Sequence, residues 1–308
     1  MTKIEGLIAA TFSTFHEDGS LNLDIIPTMV DKLVADGLKG IFICGTNGEG
    51  PSLTIAERMA VAEAYIKAAT DRLTVMVHVG HSSIQESRKL ARHAEASGAD
   101  AISSVAAFYF KPTSVANLVE SMVDIAAEAP NTPFYYYHIP ALTGVGMDMV
   151  EFLTLAEKQI PTLYGIKYTA STLHEYQACL NYKNGKFDIL FGYDELLLSA
   201  LVIGARGAVG STYNYAAPLY QQVMAYFADG ELEKAKDTQF KLVEMVRVLM
   251  KFSPIPAQKA VMKARGIDMG PCRLPLKGLT PIETEAFIAM LTETDFFSLL
   301  DSTSPIHR

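Results

Sequence analysis

Residues 163–170 read LYGIKYTA, which places an ammonium group in a run otherwise suited to a buried strand. A two-residue period puts Gly165, Lys167 and Thr169 on one face and Ile166 and Tyr168 on the other. The apolar face belongs against a layer of helices, so Lys167 points the opposite way. Stripped of water, its ammonium form is disfavoured and the free amine becomes a nucleophile for a carbonyl, with an imine as the product. The competing reading is a lysine whose stem is buried and whose head pairs with a carboxylate such as Asp194 or Glu195.

Other residues bear on that choice. In the run FYYYH, Tyr137 could carry protons to and from an imine partner, since a phenol both donates and accepts, and Tyr135 shares its parity. At least one of the three tyrosines is expected to be core packing with its hydroxyl satisfied. The loop GTNGEG offers closely spaced backbone N–H groups and the side chains of Thr46 and Asn47, a setting for a carboxylate or phosphate. Asp194 and Glu195 in GYDEL either cap the following helix or accept from a polyhydroxylated substrate. A metal is the other means of stabilising a carbanion, and His78, His81 and His138 could ligate zinc. Their spacing matches no recognised zinc pattern and a lysine iminium is already an electron sink, so neither metal nor cofactor is expected.

These residues need elements to hold them. Eight short apolar runs (GLIAATF, GIFICG, TVMVHVG, AISSVAA, PFYYYHI, LYGIKYT, FDILFGY and GAVGST) alternate with helical patterns such as 24–35, 54–70, 83–97, 114–129 and 194–203. Thr54 and Glu57 form a capping-box signature. Repeated βα units predict an α/β fold, a (β/α)8 TIM barrel over residues 1–218, with a helical extension over 219–308 packed on it and a frayed tail at 301–308. In such a barrel the ends of the strands open onto one face. The second loop, Tyr137 and His138, Lys167 and Thr169, Tyr193 to Glu195, and Ser211 to Asn214 should meet there.

Composition narrows the partners. A formal charge of −8, a pI near 5.4 and no long basic run argue against nucleic acid or an anionic membrane and for a small soluble ligand. Cys44, Cys179 and Cys272 are too few and too scattered for a disulfide framework. No signal-like or membrane-length apolar run is present, so a cytoplasmic protein is expected.

Taken together, GIKYT, YYYHIPALTG, GTNGEG and FGYDELLLSALVIGARGAVGSTYNY resemble the N-acetylneuraminate lyase branch of the pyruvate-dependent class I aldolases, the superfamily that includes dihydrodipicolinate synthase. The likeness runs from about Gly6 to beyond Pro275. It implies that Lys167 is the Schiff-base lysine, that Tyr137 transfers the proton in carbon–carbon cleavage, and that Thr46 and Asn47 hold the pyruvate carboxylate. Where the family pattern has two hydroxyl residues, asparagine here follows threonine. Thr169, Gly192, Asp194, Glu195 and Ser211 match positions that bind the sugar chain. Tyr109 matches a tyrosine that reaches a neighbouring subunit's site in a homotetramer, and His174 stands where an aromatic is common.

The implied reaction is reversible cleavage of N-acetylneuraminate (sialic acid) to N-acetylmannosamine and pyruvate without a cofactor. Dihydrodipicolinate synthases carry an arginine shortly after the tyrosine segment, where this chain has Ala141 and Leu142. The alternatives are another aldolase of the superfamily, such as a 2-keto-3-deoxygluconate aldolase or a dihydrodipicolinate synthase, and a non-catalytic sialate- or pyruvate-binding sensor.

Overall fold

The computed structural model describes residues 2–303. Eight parallel strands close into a barrel: β1 (Gly6–Ala10), β2 (Gly40–Ile43), β3 (Thr74–His78), β4 (Ala101–Ser104), β5 (Phe134–His138), β6 (Leu163–Tyr168), β7 (Asp188–Phe191) and β8 (Gly207–Gly210). Closure comes from β8 pairing with β1, in register from Gly6 opposite Gly207 to Ala9 opposite Gly210. All eight predicted strands are present. Around them lie α1 (Ile26–Ala35), α2 (Ile55–Ala69), α3 (Ile84–Ala96), α4 (Val115–Ala126), α5 (Pro140–Thr143), α6 (Met149–Ala156), α7 (Leu173–Asn181), α8 (Leu197–Val202) and α9 (Tyr213–Ala228).

The predicted helix 24–35 starts later, after a 3-10 turn at Leu23–Ile25, and 194–203 divides into a 3-10 turn at Asp194–Leu196 and α8. At the start of α2 the capping box is formed in both directions: Glu57 N donates to Thr54 Oγ1 at 3.3 Å and Thr54 N to Glu57 Oε2 at 2.8 Å.

Strand parity sorts two cores. Ile41, Ile43, Ile166 and Tyr168 join the layer between strands and helices, while Ile8, Phe42, Met76, Tyr135, Tyr137, Leu190 and Val209 fill the barrel. Tyr135 is the expected packing tyrosine, its hydroxyl donating to Asp188 Oδ2 at 2.7 Å.

The remaining helices, α10 (Leu232–Leu249), α11 (Pro254–Ala264), α12 (Pro281–Glu293) and α13 (Phe296–Thr303), form the extension. The 218/219 division falls inside α9, whose Ala216, Ala217, Leu219 and Tyr220 are all buried across it. Of the tail expected to fray, residues 301–303 are the end of α13, and the rest lies outside the described residues.

The extension is locked to the barrel by charge. Lys259 of α11 pairs with Glu49 of the β2–α2 loop at 2.8 Å, with side chains 5% and 0% exposed, and Arg273 N donates to the other Glu49 oxygen at 2.8 Å. Nearby, Arg273 binds Glu57 through both terminal nitrogens, at 2.8 and 2.5 Å. Breaking a buried pair by removing one partner leaves an uncompensated charge, at a cost of roughly 3–5 kcal/mol. Lys259→Met should therefore lower the urea-unfolding free energy by about 3–5 kcal/mol, whereas Lys263→Met, which removes an exposed pair with Asp268, should change it by less than about 1 kcal/mol.

Candidate active site

At the carboxyl end of the strands lies a cavity of about 600 Å3. Thr46, Asn47, Tyr137, Lys167, Thr169, Gly192, Asp194, Glu195 and Ser211 all line it. Five of the residues named from the sequence for the mouth or for a substrate contact do not line it. Tyr213 packs edge-on to Tyr220, and Asn214 turns its Nδ2 to the carbonyls of Ala10 at 2.8 Å and Ser211 at 2.7 Å. Tyr109 is 78% exposed and packs edge-on to Phe110 at 5.0 Å, outside the cavity. His174 is exposed on α7 and does not line it. His138, expected at the mouth, has the opposite parity to Tyr137 and turns outward onto Tyr168, with ring centroids 5.0 Å apart.

Lys167 stands inside the barrel at 4% exposure. Its Nζ lies 3.8 Å from the centroid of the Phe42 ring and 4.0 Å from that of Tyr137. Burial brings its pKa down from 10.5 to about 7, opposed by the charge of Asp194. Asp194 is not its ion-pair partner. That carboxylate bridges to the β8–α9 loop, accepting on Oδ2 from Thr212 N at 2.8 Å and Thr212 Oγ1 at 2.6 Å. Nor does it cap a helix; it opens the 3-10 turn that precedes α8. Burial raises the pKa of Asp194 against those hydrogen bonds, and burial likewise raises that of Glu195.

Tyr137 is also buried, and its phenol is pushed up to about 12, chiefly by burial, with the hydroxyls of Thr46 and Thr169 pulling the other way. It is therefore protonated at neutral pH. Thr169 Oγ1 is buried without a hydrogen-bond partner among the described residues. Gly192 makes room for it: a Cβ there would come within 2.0 Å of that oxygen.

The β2–α2 loop is held under backbone strain. Cys44 and Glu49 both take positive φ, 57° and 50°, which disfavours residues with a Cβ. Gly50 is required because a Cβ would lie 2.1 Å from the Cys44 carbonyl oxygen. Asn47 reaches back to β1, donating from Nδ2 to the Ala10 carbonyl at 3.1 Å, so one of its two amide hydrogens is engaged.

Phe42 and Arg58 escaped the sequence reading, and His78 was weighed there only as a zinc ligand. Phe42 enters the barrel by the same parity that sends Ile41 and Ile43 out, a signal present in GIFICG. His78 also faces inward, edge-on to Tyr137 at 5.6 Å; burial first, then Arg58 and Lys167, hold its pKa well below 6.5. Arg58, buried on α2, pins the end of β3 by donating to the carbonyls of His78 at 2.5 Å and Gly80 at 2.8 Å. The three histidines considered for zinc do not converge: His78 faces inward, His138 outward, and His81 Nδ1 accepts from Ser83 N at 2.9 Å. Among the described residues no group of three His, Cys, Asp or Glu side chains could hold a metal ion.

The dihydrodipicolinate synthetase family profile matches residues 3–294. N-acetylneuraminate lyase of Pongo abelii is 42% identical over 304 residues, covering 97% of this chain and 95% of its own. The lyase of Gallus gallus is 45% identical over 292 residues, covering 93% and 94%. The solved structure of Proteus mirabilis N-acetylneuraminate lyase superimposes with a TM-score of 0.93 at 40% identity, covering 96% of this chain and 100% of that one.

An amine with a pKa near 7 has a testable pH profile. Below that value Lys167 is charged and cannot attack; above it the free base dominates. The initial rate of pyruvate capture, followed by borohydride reduction and peptide mass, should rise with pH through about 7 and then level off. A rise continuing towards pH 10 would mark an ordinary lysine.

Proposed function

The chain belongs to the dihydrodipicolinate synthetase family, and from that premise we propose that it is a class I aldolase that cleaves N-acetylneuraminate reversibly to N-acetylmannosamine and pyruvate. The observation that carries this reading is an amine whose pKa burial brings down to about 7, so that about half of it is free base at neutral pH, in a cavity whose other charged groups are carboxylates. Lys167 is the only lysine or arginine among the described residues lining the cavity, beside Glu49, Asp194 and Glu195. At the Ala141–Leu142 segment, where a dihydrodipicolinate synthase would present an arginine, Leu142 lies at the cavity wall. Carboxylates suit a substrate rich in hydroxyl groups, which need acceptors.

Lys167 attacks the keto carbon of the open-chain sugar acid, and loss of water gives an iminium. Thr46, Asn47 and the N–H groups of their loop hold the substrate carboxylate. As the C3–C4 bond breaks, its electrons flow into the iminium to give an enamine, and Tyr137 takes the C4 hydroxyl proton. Because the phenol starts protonated, it acts as a relay, passing its own proton to the Thr46 hydroxyl that interacts with it, which in the same step gives up its own hydrogen to the substrate carboxylate that it holds. In the reverse direction the neutral phenol is already the donor that the aldehyde oxygen needs. Thr169, Gly192, Asp194, Glu195 and Ser211 position the polyhydroxylated chain. N-acetylmannosamine leaves, the enamine is protonated, and hydrolysis frees pyruvate. Every electron shift is carried by the imine, so no cofactor is needed.

The exposed Tyr109 reaches a neighbouring subunit's site in a homotetramer, and the protein works in the cytoplasm on small molecules. Among the described residues no helix is long and apolar enough to cross a membrane.

A pyruvate-release assay across N-acetylneuraminate, 2-keto-3-deoxygluconate, and aspartate semialdehyde plus pyruvate tests the substrate, with release expected from the first; turnover confined to either of the others contradicts it. Tyr137→Phe should lower kcat by about 10²–10⁴-fold while pyruvate is still captured on Lys167, and native-rate cleavage would remove the phenol from proton transfer.

A further inference from the structure

The bond that breaks in the reaction above is C3–C4 of a 2-keto acid held on Lys167 as an iminium, and two features of the site bear on what can stand at C4. The first is the floor of the cavity. Ala10, Val105, Ile139 and Val209 line it, all from the buried cluster inside the barrel that also holds Phe42 and Tyr137. Lys167 is the only lysine or arginine among the described lining residues, and burial keeps His78, also at the wall, neutral. An anionic group at C4 would therefore have no cation to pair with except the iminium itself.

The second feature is the protonated phenol. Because burial holds Tyr137 neutral, cleavage next to an alcohol at C4 needs a relay to take the hydroxyl proton. A carboxylate at C4 carries no such proton and needs no base.

Charge favours its departure. The iminium and an unpaired carboxylate place two charges in a dry, largely apolar space, and breaking C3–C4 cancels both, giving a neutral enamine and neutral CO2. Surroundings that solvate ions poorly favour a step that removes them. Asp194 and Glu195 at the wall repel a second carboxylate while it is bound and not once it has left as CO2, so they oppose binding of the dianion more than its cleavage.

We propose that the same site decarboxylates 2-keto acids bearing a carboxylate on C3, of which oxaloacetate is the simplest, through the Lys167 iminium and without Tyr137 as acid or base; this rests on the aldolase reading above. Lys167 attacks the keto carbon and water leaves. The C3–C4 electron pair moves into the iminium, CO2 departs, and the pyruvate enamine remains. C3 takes a proton from solvent, and hydrolysis returns the water, the free amine and pyruvate. The net change is one oxaloacetate and one proton to one pyruvate and one CO2.

The probe is oxaloacetate, with CO2 and pyruvate release followed in the presence of chelator, because free divalent cations promote this reaction without protein. Wild-type protein should exceed the protein-free rate, and Lys167→Met should return it to that rate. Capping Lys167 of the wild type with pyruvate and borohydride should do the same on the native fold. Tyr137→Phe should keep decarboxylation within about tenfold of wild type while sialate cleavage falls by about 10²–10⁴-fold. Wild-type protein that captures pyruvate on Lys167 yet leaves oxaloacetate at the protein-free rate overturns the inference and leaves the aldolase reading standing. Decarboxylation that survives the cap, or that falls as far as cleavage does in Tyr137→Phe, also overturns the inference. Protein that captures no pyruvate overturns the aldolase reading and the inference with it.

Discussion

The site depends on the removal of water from one amine. Lys167 is surrounded inside the barrel by Phe42 and Tyr137, whose ring centroids lie about 4 Å away. Aromatic faces attract a cation, an effect worth roughly 0.5–2 kcal/mol. Loss of hydration works against the charge more strongly: a fall in pKa from 10.5 to about 7 corresponds to roughly 5 kcal/mol. Desolvation therefore wins. Asp194 could have reversed the outcome by pairing with the amine, but its Oδ2 is engaged by Thr212. The carboxylate stays close enough to moderate the shift and does not capture the lysine. The same dryness keeps Tyr137 protonated and His78 neutral, so one physical condition sets the states of three groups.

The barrel does not hold this arrangement alone. The β2–α2 loop contains two residues in left-handed backbone conformations, each of which costs of order 1 kcal/mol. One of them, Glu49, is bound by Lys259 and by the backbone of Arg273, both from the extension. The terminal helices thus keep the carboxylate-facing loop in its strained form, and through Gln239 they also hold the turn bearing Asp194 and Glu195. Helices remote in sequence from the barrel are part of what preorganises the chemistry.

Much of this was legible from local pattern. Period-two parity in GIKYT sends Lys167 inward, and repeated βα units predict the closed sheet that makes inward mean buried. Parity would also have sorted Phe42 and His138, had it been applied to GIFICG and to the end of FYYYH. The rest was hidden because it depends on pairs far apart in the chain. Nothing local in PAQKAV says that Lys259 will meet Glu49, 210 residues away. Nor could GYDEL alone decide between a helix cap and a bridge to the next strand's loop. That choice was set by Thr212, which the barrel's closure brings to Asp194. Burial and long-range pairing are properties of the folded sheet, and they decide the charge states on which the chemistry rests.

The most direct test is to titrate the amine itself. With lysines carrying 13C at Cε, the Lys167 resonance, assigned by its loss in Lys167→Arg, can be followed by NMR against pH in the absence of substrate. A midpoint near 7 is the predicted result. A midpoint at or above the ordinary lysine value of about 10.4 would mean that the amine is charged at neutral pH, and would contradict the account.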